Sequence, residues 1–448
     1  MIGDLINYFK DKKIIILGFG REGISTYNLI RKYLPNQKLY IADQKEDFAS
    51  SSDALKGDQN VECICGNSYL EGLEEYDIIM KAPGVSFAHM DTSKYASKIK
   101  SQIELLWEFF DAKTIGITGT KGKSTTSSLI YKVLQEQNVK CLFMGNIGIP
   151  AFDYIEDIDD DTTIVLELSS HQLEFVRKSP DISILLNIFE EHLDHYDSYQ
   201  KYIDAKCNVF KFQEAGDYFL YNMDNEMLQK NVNDTAANTI KVSLKNQAGA
   251  NIYYENGHVY MNGKDIYDNS VKRNLLGDYN LNNIMFVLGV SEILGLDIHK
   301  TIESICSFKT LPHRLEYVDT INEVSYYDNC IGTTPEATIE VIKALGNVDT
   351  LIIGGMDRGL DYTMFIEYLD KCNIGNIVCM PKTGHDIAKK LTKANAICVD
   401  TLEEAVEVAK KVTKRGMSCL ISPAAASYGF FKNFEEKGNK FQELVRAN

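Results

Sequence analysis

Gly119, Gly122, Lys123 and Ser124 fall where a β-rich run gives way to helical periodicity, in TIGITGTKGKSTTSSLIYKVL (114–134). Residues of those types at such a junction suit one task, holding the phosphates of a nucleoside triphosphate. Glycines let backbone N–H groups close around phosphate oxygens, and the lysine sets an ammonium on them. The serine hydroxyl can reach Mg²⁺, and the helix N-terminus adds its positive end. The loop is a shortened form, TGTxGKS: the longer GxxxxGK[ST] pattern wants glycine where Ile117 stands, and Gly119 serves instead. Thr120, Lys121 and Thr125 complete the phosphate-facing stretch.

A second phosphate-type signature lies near the start, where Gly18, Gly20 and Gly23 follow an apolar run in KKIIILGFGREGISTYNLIRKYL and Asp43 closes the run LYIAD. In a dinucleotide-binding fold such glycines give a tight turn and a close approach to pyrophosphate, while the acid takes a ribose hydroxyl. Alone this signature spells an NAD-dependent oxidoreductase. With the phosphate loop further along, it spells two domains that each hold a phosphorylated ligand.

Metal-type residues keep company with the central loop. Glu167 ends the strand-like run TTIVLELSS, and NIFEEHLDHYDSYQKYIDAK supplies Glu190, Glu191, His192, Asp194, His195 and Lys206. A carboxylate and an imidazole beside a phosphate loop are natural partners for the Mg²⁺ that accompanies ATP. His192 and His195 are spaced to share a helix face, but no further cluster completes a zinc site. By residue type alone, Lys206 reads as a solvated helix lysine.

The elements that must position these residues follow from the order of apolar runs. The runs KIIILG, KLYIAD, VECICG and DIIMKAPGV make residues 1–100 a βα series, with HMDTSKYASKIKSQ as its exit. From 101 the helix IELLWEFF, the phosphate loop, TTIVLELSS and ISILLNIF begin a second series, which runs to 308 and includes a hairpin at Asn256 and Gly257 and the helix NLNNIMFVLGVSEILGL. EVSYYDN, DTLIIGGM, NIVCM, AICVD and SCLISPAA make a third, over 309–448. The expectation is an α/β chain of three domains: Rossmann-like, central P-loop ATPase-like with a parallel sheet, and Rossmann-like again. The length agrees, since 448 residues at ~150 per domain give about three. With 47 Lys and Arg against 63 Asp and Glu, the charge of −16 argues against nucleic-acid or membrane-surface partners, so anionic ligands must be met by local cations. The start lacks a secretory pattern, no apolar run reaches about 18 residues, and the ten scattered cysteines read as reduced thiols, which together predict a cytoplasmic enzyme.

TGTKGKSTT, LELSSHQLE, NIFEEHLDHY with DAK, GDYNLNN, LPHRLE, GGMDRG and SPAAASYGFFKNFEEKG occur in this order, and together they resemble the Mur ligases of peptidoglycan precursor synthesis. The resemblance spans all three domains and is strongest to members that add D-glutamate to UDP-N-acetylmuramoyl-L-alanine. It implies that ATP phosphorylates the L-alanyl carboxylate, that the glutamate amine attacks the acyl phosphate, and that a tetrahedral intermediate collapses to amide, ADP and phosphate. It implies a monomer with two Mg²⁺ sites: Ser124 and Glu167 hold the metal of ATP, while Lys206, carbamylated by CO₂, joins His192 at a second. For ATP it adds Asn280, Asn283, Arg314 and Asn329 to the loop residues. For the UDP precursor it implies Gly18, Phe19, Gly20, Arg21, Asp43, Pro83, Gly84, Val85, Asn146 and Ser169. For glutamate it implies Thr333, Arg358, Ser427 and Phe434. This chain departs from the family pattern at Asn329 and Cys330, which replace an Asp–Ser pair, at Gly429, where aspartate is common, and at Lys121, where asparagine is common.

A relative that joins L-glutamate to the same acceptor is an alternative. Folylpolyglutamate synthetase shares the shortened loop but has no UDP-binding first domain. A nicotinamide dehydrogenase leaves the phosphate loop unexplained, and a non-enzymatic nucleotide-gated protein has no use for Glu167, His192 and Lys206 together.

Overall fold

Uninterrupted apolar strands mark parallel sheets covered on both faces, and the computed structural model, which describes residues 1–232 and 235–447, contains three sheets built on that rule. The first is parallel throughout and has five strands, β1 (Ile14–Leu17), β2 (Leu39–Asp43), β3 (Val61–Cys65), β4 (Ile78–Lys81) and β5 (Ile99–Lys100), in the order β3-β2-β1-β4-β5. Every residue of β1 and β4 is buried. The stretch read as an exit therefore contributes an edge strand, β5, paired to β4 through Ile79 and Ile99. Chain order reverses between β1 and β4, so the crevice beyond their carboxyl ends is where this architecture takes a ligand. Both the glycine loop after β1 and Pro83–Gly84 after β4 open there.

The second sheet has nine strands: β6 (Lys113–Thr118), β7 (Cys141–Gly145), β8 (Thr163–Glu167), β9 (Ile182–Leu185), β10 (Tyr218–Asn222), β11 (Asn238–Ser243), β12 (Ile252–Glu255), β13 (His258–Met261) and β14 (Lys264–Asp268). Their order is β14-β13-β12-β11-β10-β9-β6-β8-β7. Strands β6 to β12 pair in parallel, and β12 to β14 form an antiparallel meander. The turn between β12 and β13 is the hairpin expected at Asn256 and Gly257, both with positive φ (49° and 89°), the conformation a two-residue primed turn requires.

The chain divides into two compact units. The first comprises residues 1–271 and 282–305 and holds both sheets above; the second comprises 272–281 and 306–448. The second unit contains a six-stranded sheet of β15 (Glu316–Ile321), β16 (Val324–Asp328), β17 (Val348–Ile353), β18 (Asn376–Cys379), β19 (Ala396–Cys398) and β20 (Ser418–Ile421), in the order β15-β16-β20-β17-β18-β19. Only β15 runs antiparallel to its neighbour. Among the described residues no helix is long and apolar enough to cross a membrane.

A buried polar group pins this second unit. His313 Nδ1 and Asp328 Oδ2 lie 2.7 Å apart, and Gln442 Nε2 donates to Asp328 Oδ2 at 3.0 Å and to Glu316 Oε2 at 2.9 Å. The carboxylate beside it raises the pKa of His313. Burial pushes that of Asp328 up, but hydrogen bonds from His313, Gln442 and the Cys330 N–H outweigh it and leave the pKa lowered. The signs define a window. The Asp328 contribution is present above its unfolded pKa and is lost as pH falls through its lowered folded value. The His313 contribution is present below its unfolded pKa and is lost as pH rises through its raised folded value. Asp328→Asn should cost about 3–5 kcal/mol, since one partner of a buried pair is left uncompensated. Thermal unfolding of this variant, followed from mildly acidic to alkaline pH, should show a lower melting point and a weaker alkaline decline than wild type.

Candidate active site

The phosphate loop follows β6 and leads into the helix Lys123–Glu136, the strand–loop–helix context that its sequence demanded. Gly122 sits at φ +89°, and a Cβ there would lie 2.7 Å from Asn283 Oδ1, so only glycine fits between the loop and that side chain. The backbone N–H of Lys121 donates to Asn187 Oδ1 (2.8 Å), and the Thr120 hydroxyl sits 2.8 Å from that of Tyr202. These bonds fix the loop to the segment after β9 and to the helix Tyr199–Lys211. The Lys121 side chain pairs with Glu191 at the exposed rim. Ser124 and Thr125 are buried at the start of the helix.

Lys206 is the largest correction to residue-type reasoning. It is only 2% exposed, because the helix Tyr199–Lys211 turns this position towards β6. Its Nζ donates to Gly119 O (2.9 Å), and the same carbonyl accepts from Lys123 Nζ (2.8 Å). Two amines thus converge on one oxygen of the phosphate loop. Burial, reinforced by Lys123, drives the pKa of Lys206 well below the ordinary lysine value.

Glu167 closes β8, next to β6, and is 1% exposed. Asn146 Nδ2 donates to its Oε1 (2.9 Å), whereas Oε2 is buried with no hydrogen-bond partner among the described residues. A buried carboxylate oxygen left without a donor fits a hard cation, and Ser124 together with Glu167 is a suitable oxygen set for Mg²⁺. His192 lies on a loop, half exposed, with φ +61°. The helix face imagined for His192 and His195 does not form: His195 turns inward to Glu174 (Nε2 to Oε2, 3.1 Å). His171 packs between them, its ring centroid 4.8 Å from that of His192 and 4.0 Å from that of His195. Burial, then the neighbouring His195 and His192, push the pKa of His171 down to about 3, so it is a neutral imidazole.

The first sheet brings its predicted residues to one edge of the same unit. Gly18 has φ +82°, and a Cβ there would meet Val85 Cγ2 at 2.9 Å, so the glycine loop and the Pro83–Val85 loop lie against each other. Gly20 caps the helix Arg21–Tyr33. Asp43 holds the loop rather than pointing away from it, accepting from the N–H of Phe19 (2.8 Å) and of Lys45 (2.9 Å). Arg21 reaches the carbonyls of Asn146 and Gly148, both at 3.3 Å. Ser169 caps the short helix Ser170–Leu173 in a reciprocal bond with Gln172, whose Nε2 donates to Glu22 Oε1 (2.7 Å).

In the second unit, Arg358 Nη2 donates to Thr333 Oγ1 (3.4 Å). Ser427 is buried, its hydroxyl without a partner among the described residues, and lines a cavity of about 250 Å³ with Gly354, Gly355 and Lys437. Phe434 opens the last helix with its ring 6.1 Å from that of His313. Asn280, Arg314 and Asn329 belong to this unit, and Asn283 to the first. The Asn329 amide is engaged internally, accepting from the Leu315 N–H and donating to Ser422 Oγ. Sequence reasoning missed Lys81, Glu174, His171 and Lys437. The visible signal for Lys81 was a lysine closing an otherwise apolar strand run.

The profile of the Mur ligase middle domain matches residues 117–291. The UDP-N-acetylmuramoylalanine--D-glutamate ligase of Geobacillus sp. (strain WCH70) is 31% identical over 445 residues, covering 97% of each chain. The enzyme of that name from Geotalea uraniireducens (strain Rf4) is 30% identical over 448 residues, covering 98% of each. A crystal structure of MurF ligase from Thermotoga maritima in complex with ADP superposes with a TM-score of 0.61 at 17% identity, covering 98% of this chain and 96% of that one, a likeness of fold.

Proposed function

The chain belongs to the Mur ligase family, and from that premise we propose how its residues divide the work of the reaction it catalyses, the ATP-dependent joining of D-glutamate to UDP-N-acetylmuramoyl-L-alanine in peptidoglycan precursor synthesis. The observation that carries the assignment is the convergence of Lys123 and Lys206 on Gly119 O, just past the strand adjacent to that of Glu167, whose Oε2 has no hydrogen-bond partner among the described residues. That is a cationic centre and a metal-type oxygen at the carboxyl ends of adjacent strands.

Within residues 101–308, ATP binds through Gly119 to Thr125, with Asn283 towards the nucleoside. Lys123 neutralises the γ-phosphoryl oxygens as the L-alanyl carboxylate attacks phosphorus and ADP leaves. Mg²⁺ held by Ser124 and Glu167, and a second ion at His192 and carbamylated Lys206, would supply charge neutralisation between the anions. Carbamylation is balanced as amine plus CO₂ giving carbamate plus a proton, and burial, which disfavours the ammonium of Lys206, favours the amine form that adds CO₂. Residues 1–100 hold the UDP part at Gly18, Phe19, Gly20, Arg21, Asp43 and Pro83 to Val85, with Asn146 and Ser169 towards the L-alanyl end. Residues 309–448 hold glutamate at Thr333, Arg358, Ser427 and Phe434. Arg358 suits bidentate grip of a carboxylate. The glutamate amine attacks the acyl carbon, and phosphate leaves. One chain carries every assigned residue, which supports action as a monomer. ATP and a UDP-linked acceptor as substrates support a cytoplasmic site of action.

Phosphate release with UDP-N-acetylmuramoyl-L-alanine and each glutamate enantiomer tests this reading. D-Glutamate should support turnover at least about tenfold better than L-glutamate, a difference of about 1.4 kcal/mol in transition-state binding. Preference for L-glutamate would reassign the amino-acid site.

A further inference from the structure

Lys81 closes β4, one residue before the Ala82–Val85 loop, and its side chain is 3% exposed. Its Nζ lies 3.1 Å from Glu174 Oε2, and the same oxygen lies 3.1 Å from His195 Nε2. A buried lysine, a carboxylate and an imidazole thus join the first sheet, the turn after Glu167 and the loop that carries His192. Two further bonds run in parallel: Ser86 Oγ donates to His195 O (2.8 Å), and the His89 N–H donates to Asp197 Oδ1 (2.6 Å). The loop after β4 is therefore bonded to residues 192–197 at two places, Ser86 and His89, beside the chain from Lys81 through Glu174 to His195. His192 itself needs support, because its left-handed φ of 61° is disfavoured for a residue with a Cβ and persists only where the surroundings enforce it. His195 and His171, both packed into this cluster, are those surroundings.

We propose that Lys81 and Glu174 are positioning residues that make the grip on the UDP-sugar precursor and the placement of His192 one cooperative unit. The inference rests on the assignment above of the Pro83–Val85 loop to the precursor and of His192 to metal. A ligand that orders the loop after β4 also fixes His195, hence His192, and ligands of the phosphate loop and its metal do the converse. Thermodynamic reciprocity then requires each ligand to raise the affinity of the other by one common factor.

Calorimetric titration of the full-length protein with UDP-N-acetylmuramoyl-L-alanine, with and without Mg²⁺ and a non-hydrolysable ATP analogue, reads that factor without turnover. In the wild type it should fall in the range of about 5–150-fold. Lys81→Met combined with Glu174→Gln removes both charges together, so neither partner of the pair is left as a lone buried charge, and the glutamine can still meet His195 Nε2. In this double variant each ligand should still bind alone, while the factor falls to about one. Ser86→Ala, which leaves the ion pair untouched, should lower the factor part of the way and serves if the double variant does not fold. A staple that only stabilises the fold would lower the melting point and leave the factor unchanged, which would overturn the proposal, as would a wild-type factor of one with both ligands bound. Failure of the wild type to bind the precursor at all would overturn the functional reading, and this inference with it.

Discussion

Lys206→Ala should lose at least about 100-fold in turnover, the upper end of what removal of groups supporting a metal costs, even though the side chain removed is formally a cation. Acetate should return part of the rate, and chloride at equal ionic strength should not. The reasoning begins with burial: a lysine 2% exposed, bonded to a loop carbonyl that Lys123 also uses, gains nothing as an ammonium. As a carbamate it would present anionic oxygens beside Lys123 and near His192, and a free carboxylate in the vacated space can offer the same hard-cation ligand. The alanine variant removes one of the two donors to Gly119 O, a bond worth about 0.5–1.5 kcal/mol, so its melting point must be measured alongside. Full activity, or equal rescue by chloride, would return Lys206 to a structural role.

Lys123→Ala should lower kcat by about 100- to 1,000-fold, the range seen when one preorganised charge-stabilising donor is removed, with little change in melting point because the side chain stands at the start of its helix and donates to the nearby carbonyls of Gly119 and Thr120. Steady-state kinetics at saturating ATP checks it. Activity within tenfold of wild type would mean that the loop does not carry the phosphoryl transfer.

What could be read in advance was what depends on local order. The phosphate loop after β6, the glycine loop after β1 and the turn at Asn256 and Gly257 each need specific residues within a few positions of one another, and all three formed as expected. Edge strands were less legible: β5 is a two-residue strand inside a polar stretch, and β15 is an edge strand whose antiparallel pairing to β16 is interrupted by a shift of register between Tyr317 and Asp319. Contacts between distant residues carried no local sign. Lys81, Glu174 and His195 meet only because β4 and the turn after β8 close on one another, and the helix face that buries Lys206 depends on where that helix docks. His192 and His195 were misplaced on a helix because three-residue spacing cannot reveal a left-handed backbone at the first of them. Whether Asn329 faces a ribose or the interior likewise turns on its neighbours Leu315 and Ser422, remote in sequence.

The central claim is that the site turns the L-alanyl carboxylate into an acyl phosphate before the amine attacks. Synthesis with UDP-N-acetylmuramoyl-L-alanine labelled with ¹⁸O in that carboxylate tests it most directly, because the oxygen that attacks phosphorus must leave with it. The inorganic phosphate released should carry one carboxylate-derived ¹⁸O atom per turnover. Unlabelled phosphate, formed at the rate of amide synthesis, would contradict the account.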